Sequence, residues 1–395
     1  MLSPKPQYWI EIDLLRALAA ALMIINHSGV AWFQEVANQR FIDMAMTFIG
    51  GLAPVVFFFA TGLGSGIKAA NTGDHQPITK TWTKVLILFM ADSAMWLSSG
   101  RSWGFDFLAF IGLSTLVLDL VYRTSHPRAY LMFGITLSLI LRFVVAPILS
   151  LQSLDGMQNQ AMHFVLGDIG VPGVSYPLCP WLVFPLLGAL VGDIVSRNAI
   201  KVRNSRNRLS LILGLTGTLG LGLCLYLEQK GMLFFRWGTL SFAYTVFSVS
   251  GLLLAVSLVL FLVAQIAAPS ISALSLPGAA SLIVVPVHYA CVAIIYWALP
   301  TLVQQNFPIA SIVTLVFVIY ISKNLNQQMM LFVGVVERRG AGFGLVFAAF
   351  LATAACGLVS NTSFSLTMMI FSQLLACSLF LLTSRTSNFP IRTSI

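Results

Sequence analysis

The chain has 395 residues, 58% of them hydrophobic and only 9% charged, with a mean hydropathy of +0.89. A soluble domain carries about a quarter charged residues, so a water-coated globule is excluded. The net charge of +9 would suit a nucleic-acid binder, but its distribution along the chain argues for another origin.

Apolar runs of about 20 residues, each long enough to cross roughly 30 Å of hydrocarbon, recur from end to end. In chain order they predict spans at about 10–33, 44–67, 84–99, 105–122, 129–150, 175–195, 209–227, 240–264, 279–299, 308–322, 342–360 and 364–383. In lipid every backbone polar group needs a partner within the protein, which leaves helices or closed barrels. Runs this long and uniformly apolar are not barrel strands. The expected fold is an all-α polytopic membrane bundle of about 10–12 transmembrane helices. With the N-terminus placed in the cytoplasm, sixteen of the 22 Lys and Arg fall on the cytoplasmic side. Arg40, Arg101, Lys230 and Arg236 fall outside, and Arg16 and Arg142 lie within spans. That asymmetry is the positive-inside rule, so the charge is mostly topological and nucleic acid is not an expected partner. The C-terminus is then cytoplasmic as well.

The longest polar interruptions are at about 68–83, 151–174 and 196–208. The middle one carries Asp155, His163 and Asp168 and falls on the outer side, either as an acceptor-facing loop or as a plain connector. The basic run at 197–208 reads as an inside-positive anchor, with attraction for phosphorylated ligands or anionic lipid heads as the alternative. Cys179, Cys224, Cys291, Cys356 and Cys377 are scattered with no metal or disulfide spacing. No cleavable signal peptide is expected, because the first apolar run carries Asp13 and Arg16 and no small-residue cleavage site follows it.

Ionisable groups inside spans are costly and mark functional sites by default. In the first span Arg16 and His27 are 11 residues apart. At about 100° and 1.5 Å per residue they return to nearly the same helix face roughly 16 Å apart. One face thus offers a permanent cation near the inner end and a titratable imidazole near the outer end. This suits acyl transfer from an anionic cytosolic donor to an acceptor that needs a general base. The bland alternative has Arg16 snorkelling to the inner headgroups and His27 hydrogen-bonded at the outer interface. Asp13, one turn before Arg16, is placed to pair with it. Asp92 and Arg142 either pair with one another or mark a second polar site, and receive no role. His75, His126 and His163 fall in loops. No spacing suggests a metal, and no phosphate-binding glycine loop is present.

The stretch Ile12-Asp13-Leu14-Leu15-Arg16-Ala17, ending in Asn26-His27, resembles the first helix of the transmembrane acyltransferase superfamily. That group includes the heparan-α-glucosaminide N-acetyltransferase catalytic-domain family and the acyltransferase type three family. The latter is known for an arginine, ten intervening residues and a histidine, matched here by Arg16 and His27. Three more stretches resemble the former family in order: Ala53-Pro54-Val55-Val56-Phe57-Phe58-Phe59 with Gly62; Tyr176-Pro177-Leu178-Cys179-Pro180-Trp181 with Gly188 and Gly192; and Ser281-Leu282 with His288-Tyr289. Phe105-Asp106-Phe107-Leu108 before Ile111-Gly112-Leu113 is a fainter echo. Ala17 stands where many members have glycine, and Val285 and Pro286 stand where an aromatic residue often precedes the late histidine.

The resemblance implies an acyltransferase-like transmembrane core over 1–300, followed by additional helices over 301–395. It implies acetyl-CoA or another acyl-CoA as donor, no metal, and a saccharide or small-molecule acceptor. His27 would deprotonate the acceptor or transiently carry the acyl group, and His288 is the second catalytic candidate. Arg16 and Trp181 would contact the donor, Trp181 as a wall of the acyl tunnel, with interfacial anchoring as its alternative. The expected location is a bacterial cytoplasmic (inner) membrane, with the lipid bilayer as partner and a homo-oligomer left open. Two other classes compete. A secondary transporter would use the intramembrane Arg142, Asp92 and His27 as a pathway, but no internal symmetry supports it. A non-catalytic envelope factor is the third.

Overall fold

The computed structural model describes residues 8–33, 41–72, 77–98, 104–149, 157–166, 174–230, 241–276, 278–338, 344, 346–352 and 362–385. The described residues form helices and turns, with a single isolated bridge between Phe105 and Val174. The helices that shape the site are α1 (Ile10–Phe33), α2 (Phe41–Gly50), α3 (Ala53–Thr72), α4 (Ile78–Ser98), α5 (Phe107–Tyr122), α6 (Pro127–Ile140), α7 (Met157–Leu166), α8 (Val183–Arg197), α9 (Arg206–Gln229), α10 (Phe242–Gln265), α11 (Gly278–Ala298), α12 (Phe307–Arg338) and α13 (Thr362–Arg385). Eight described helices are long and apolar enough to cross a membrane, and two shorter apolar helices, Phe107–Tyr122 and Thr367–Thr383, accompany them. The all-α polytopic fold expected from the sequence is the fold observed.

α1 is the central element, packing against α2, α3, α10, α11 and α12. Its buried residues Leu15, Ala19, Ala20, Met23 and Ile24 recur at helical spacing, so one broad face is committed to the bundle. On the periphery, Leu211, Leu215, Leu219 and Leu223 of α9 are all exposed. Their four-residue spacing makes one continuous apolar stripe, as expected of a helix that faces lipid.

α3 and α8 pack backbone to backbone. A Cβ on Gly62 would fall 1.9 Å from the Pro185 carbonyl oxygen, and one on Gly188 would fall 2.1 Å from that of Phe59. Gly66 and Gly192 repeat the contact one turn on. In lipid, helix association lacks a hydrophobic drive and relies on such close approach.

Two expected spans are built differently from the sequence reading. The run at 44–67 is interrupted by a turn at Gly51–Leu52, which separates α2 from α3. Gly50 ends α2 against the α1 backbone, where a Cβ would lie 2.6 Å from Leu22 O, and Pro54 opens α3. The span expected at 129–150 contains a π-helical segment at Leu141–Val145 that carries Arg142. Most of the span expected at 342–360, together with Asp155, Asp168 and Cys356, lies outside the described residues.

One end of the bundle is basic and heavily cross-linked. The Glu11 carboxylate of α1 accepts from Arg206 at the start of α9, while Arg203 donates to Tyr8 O at 3.2 Å and covers the Trp9 ring. Asp193 near the end of α8 pairs with Arg197 at 2.9 Å and with Arg128 of α6. Thr81 of α4 donates to Asp119 of α5 at 3.1 Å. These contacts gather the N-terminal ends of α1, α4, α6 and α9 and the C-terminal ends of α5 and α8.

Candidate functional site

A cavity of about 680 Å³ opens in the half of the bundle away from this basic end. It lies among the C-terminal half of α1, the α2–α3 turn, the start of α3, the end of α4, the start of α5, α10 and α11. Among the described residues its polar lining consists of Asn26, His27, Asp92, Asp106, Ser175, Tyr176, Tyr244, His288 and Tyr289, with no Lys or Arg among them.

The two histidines named from the sequence meet here. His27 Nδ1 lies 2.6 Å from His288 Nε2, and their ring centroids are 4.8 Å apart. His288 is fully buried, and its Nδ1 lies 3.1 Å from the Val284 carbonyl oxygen. A carbonyl only accepts, so His288 Nδ1 carries the proton and, in the neutral ring, Nε2 carries a lone pair. His27 Nδ1–H must then be the donor to His288 Nε2. The remaining nitrogen of His27, Nε2, is left with its lone pair, free to act as a base. The ring of Tyr289 packs on both, with centroids 4.1 Å from His288 and 5.4 Å from His27. Pro286 lacks a backbone N–H, which removes one donor from the turn just before His288.

Two carboxylates meet the N-terminus of α5 at the cavity wall, Asp92 from α4 and Asp106 from the N-cap of α5 itself. Asp92 is almost completely buried and accepts from the backbone N–H groups of Asp106 (2.9 Å), Leu108 (3.3 Å) and Ala109 (2.7 Å). Asp106 caps the same helix through its own side chain, accepting from Phe107 N at 2.8 Å. The orphan donors of a helix N-terminus favour negative charge, which accounts for two acids in an apolar wall. Sequence reading gave Asp92 no role and took Asp106 only as part of a motif echo. Its one available signal was that an intramembrane acid is costly. Tyr244, which reaches the cavity from α10, carried no signal at all.

Arg16 and Trp181 stand elsewhere. Arg16 pairs with Asp13 at 2.8 Å, as its spacing suggested, and Asp13 also accepts from the Tyr8 hydroxyl at 2.5 Å. Arg16 is not among the cavity-lining residues. Trp181 is fully buried and meets Tyr176 edge-on at 5.0 Å and Phe58 at 5.9 Å. Tyr176 lines the cavity, so Trp181 is one layer behind its wall. Arg142 donates to the Leu166 carbonyl at the end of α7. The side chain of His163 lies outside the described residues.

The family model described as heparan-alpha-glucosaminide N-acetyltransferase, catalytic, matches residues 8–230. The chain belongs to this family. The matched segment supplies His27, both cavity aspartates and Tyr176, whereas Tyr244, His288 and Tyr289 come from the region beyond it. No curated protein matches the chain, and no solved structure does. Membership of this family makes the chain a membrane acetyltransferase.

Proposed function

We propose that the chain transfers an acetyl group from an acyl-CoA, most simply acetyl-CoA, to a saccharide or small-molecule acceptor inside this cavity. The observation that carries the reading is the 2.6 Å contact between His27 and His288. It leaves the lone pair of His27 Nε2 available for use as a base. His27 Nε2 takes the proton from an acceptor O–H or N–H as that atom attacks the thioester carbonyl. The carbon–sulfur bond breaks, the coenzyme leaves as its thiol, and the proton taken by His27 returns to the sulfur. His288 stabilises the imidazolium by accepting from His27 Nδ1–H, while Val284 O fixes the tautomer of His288.

The lining limits what the cavity can hold. With two aspartates and no Lys or Arg among its described lining residues, it suits a neutral polyhydroxyl or an amine better than an anionic acceptor. In this reading the phosphates of a coenzyme A donor stay outside the cavity. Arg16, on the same helix as His27, is the donor-side cation this reading uses, oriented by Asp13. Trp181 then sets the cavity wall through Tyr176. Placing the basic end in the cytoplasm follows the charge asymmetry of the loops, and the family and the short loops suit a bacterial inner membrane.

The test is thiol release from acetyl-CoA by purified protein in lipid vesicles, with a panel of neutral, amine-bearing and anionic acceptors. Release that depends on a neutral or amine acceptor is expected. Release with no acceptor dependence, or only with anionic acceptors, would overturn the reading.

A further inference from the structure

Acyl transfer needs more than a base. When the acceptor attacks the thioester carbonyl, negative charge builds on that oxygen, and a hydrogen-bond donor placed at it lowers the barrier. Most donors in the described lining are already engaged. His27 Nδ1–H goes to His288 Nε2 at 2.6 Å, and His288 Nδ1–H to Val284 O at 3.1 Å. Asp92 and Asp106 are acceptors, occupied by backbone N–H groups at the start of α5. The Ser175 hydroxyl donates to Asp106. The Tyr244 hydroxyl lies 3.5 Å from the Gly51 carbonyl oxygen in the α2–α3 turn.

Tyr289 is placed differently. It follows His288 on α11, and its ring packs on both imidazoles, with centroids 4.1 Å from His288 and 5.4 Å from His27. Its neighbours Val285, Val287, His288, Cys291 and Val292 are buried, whereas Tyr289 keeps accessible surface and lines the cavity. Among the described residues its hydroxyl makes no hydrogen bond. A phenol holds its proton at neutral pH and is therefore a donor. The base and this donor share one cavity wall, as attack and oxyanion stabilisation at a single carbonyl require.

We infer that Tyr289 is the oxyanion donor of the transfer, its O–H hydrogen-bonding the thioester carbonyl oxygen as charge develops there. The hydroxyl keeps its proton throughout. His27 Nε2 carries the proton from the acceptor to the departing sulfur, and the carbonyl re-forms as the carbon–sulfur bond breaks. The inference rests on the acyl-transfer reading.

The experiment compares wild type, Tyr289→Phe and Tyr289→Leu in lipid vesicles, with acetyl-CoA and an acceptor that supports wild-type thiol release. The Phe variant keeps the ring that packs on the histidines and loses the hydroxyl alone; the Leu variant loses both. Tyr289→Phe should lower kcat about 10²- to 10³-fold, the usual contribution of one such donor, with the donor KM within about twofold of wild type. A second series replaces Tyr289 with fluorinated tyrosines of graded acidity, assayed at a pH where every phenol is protonated. There kcat should rise with phenol acidity, a trend that a packing role does not produce. A fall of less than about tenfold in Tyr289→Phe, a loss confined to Tyr289→Leu, or a kcat indifferent to phenol acidity would overturn the inference and leave the His27 reading standing. No thiol release by wild type with any acceptor would instead defeat the acyl-transfer reading, and the inference with it.

Discussion

His27 of α1 and His288 of α11 are separated by 261 positions in sequence and joined ring nitrogen to ring nitrogen at 2.6 Å. In the proposed mechanism this contact makes the two rings act as one unit. His288→Ala should lower the turnover rate about 10- to 100-fold with little change in the donor KM, because in the proposed mechanism it acts through His27. Combining it with His27→Ala should give no further loss, since residues acting as one unit are strongly non-additive. Turnover in the four proteins of this cycle checks the point; additive losses would separate the two histidines.

Asp92 ties the end of α4 to the start of α5 by accepting three backbone N–H groups. Asp92→Asn presents an amide donor to those donors and removes the charge that complements the helix end. A loss of about 1–3 kcal/mol is expected, read as a lowered denaturation midpoint in mild detergent. A midpoint unchanged from wild type would mean that the carboxylate is not holding α5.

The α3–α8 contact leaves no room for a side chain at Gly188, where a Cβ would sit 2.1 Å from the Phe59 carbonyl oxygen. Gly188→Leu should force the helices apart and cost about 1–3 kcal/mol or more. The expected signature is loss of the folded, monodisperse species in size-exclusion chromatography. Normal behaviour of that variant would show that the helices tolerate separation.

Much of the fold was legible because lipid imposes length and polarity rules on single segments. The apolar runs gave the helices, and the positive-inside count gave a basic end that the contacts of Arg128, Arg197 and Arg206 gather together. The Asp13–Arg16 pair was legible too, since three residues on one helix suffice to predict it. The break between α2 and α3 was hidden inside a continuous apolar run, and its cause is a tertiary one, the seating of Gly50 on α1. The site was legible only in its parts. His27 and His288 could each be named, but no periodicity reports that α1 and α11 bring their rings together. Asp92 was opaque for the same reason: its partners are backbone groups of another helix. Trp181 could be read as a wall residue, yet only the packing shows Tyr176 standing in front of it.

Arg16 is held by Asp13 and is not part of the cavity lining, so its effect is expected on donor binding and not on the chemical step. Arg16→Ala should raise the donor KM about tenfold while leaving kcat within about twofold, as loss of one partly screened charge contact implies. Steady-state kinetics with acetyl-CoA as the varied substrate measure the split. An unchanged KM would return Arg16 to the role of an interfacial anchor.

The most direct test of the account is acetyl transfer by wild type and His27→Ala in the same vesicles, with acetyl-CoA and the acceptor that supports wild-type turnover. The account predicts a loss of about 10²- to 10⁴-fold in the variant, the usual contribution of a general base, with its thermal midpoint close to wild type. Full transfer by a well-folded His27→Ala protein would contradict it.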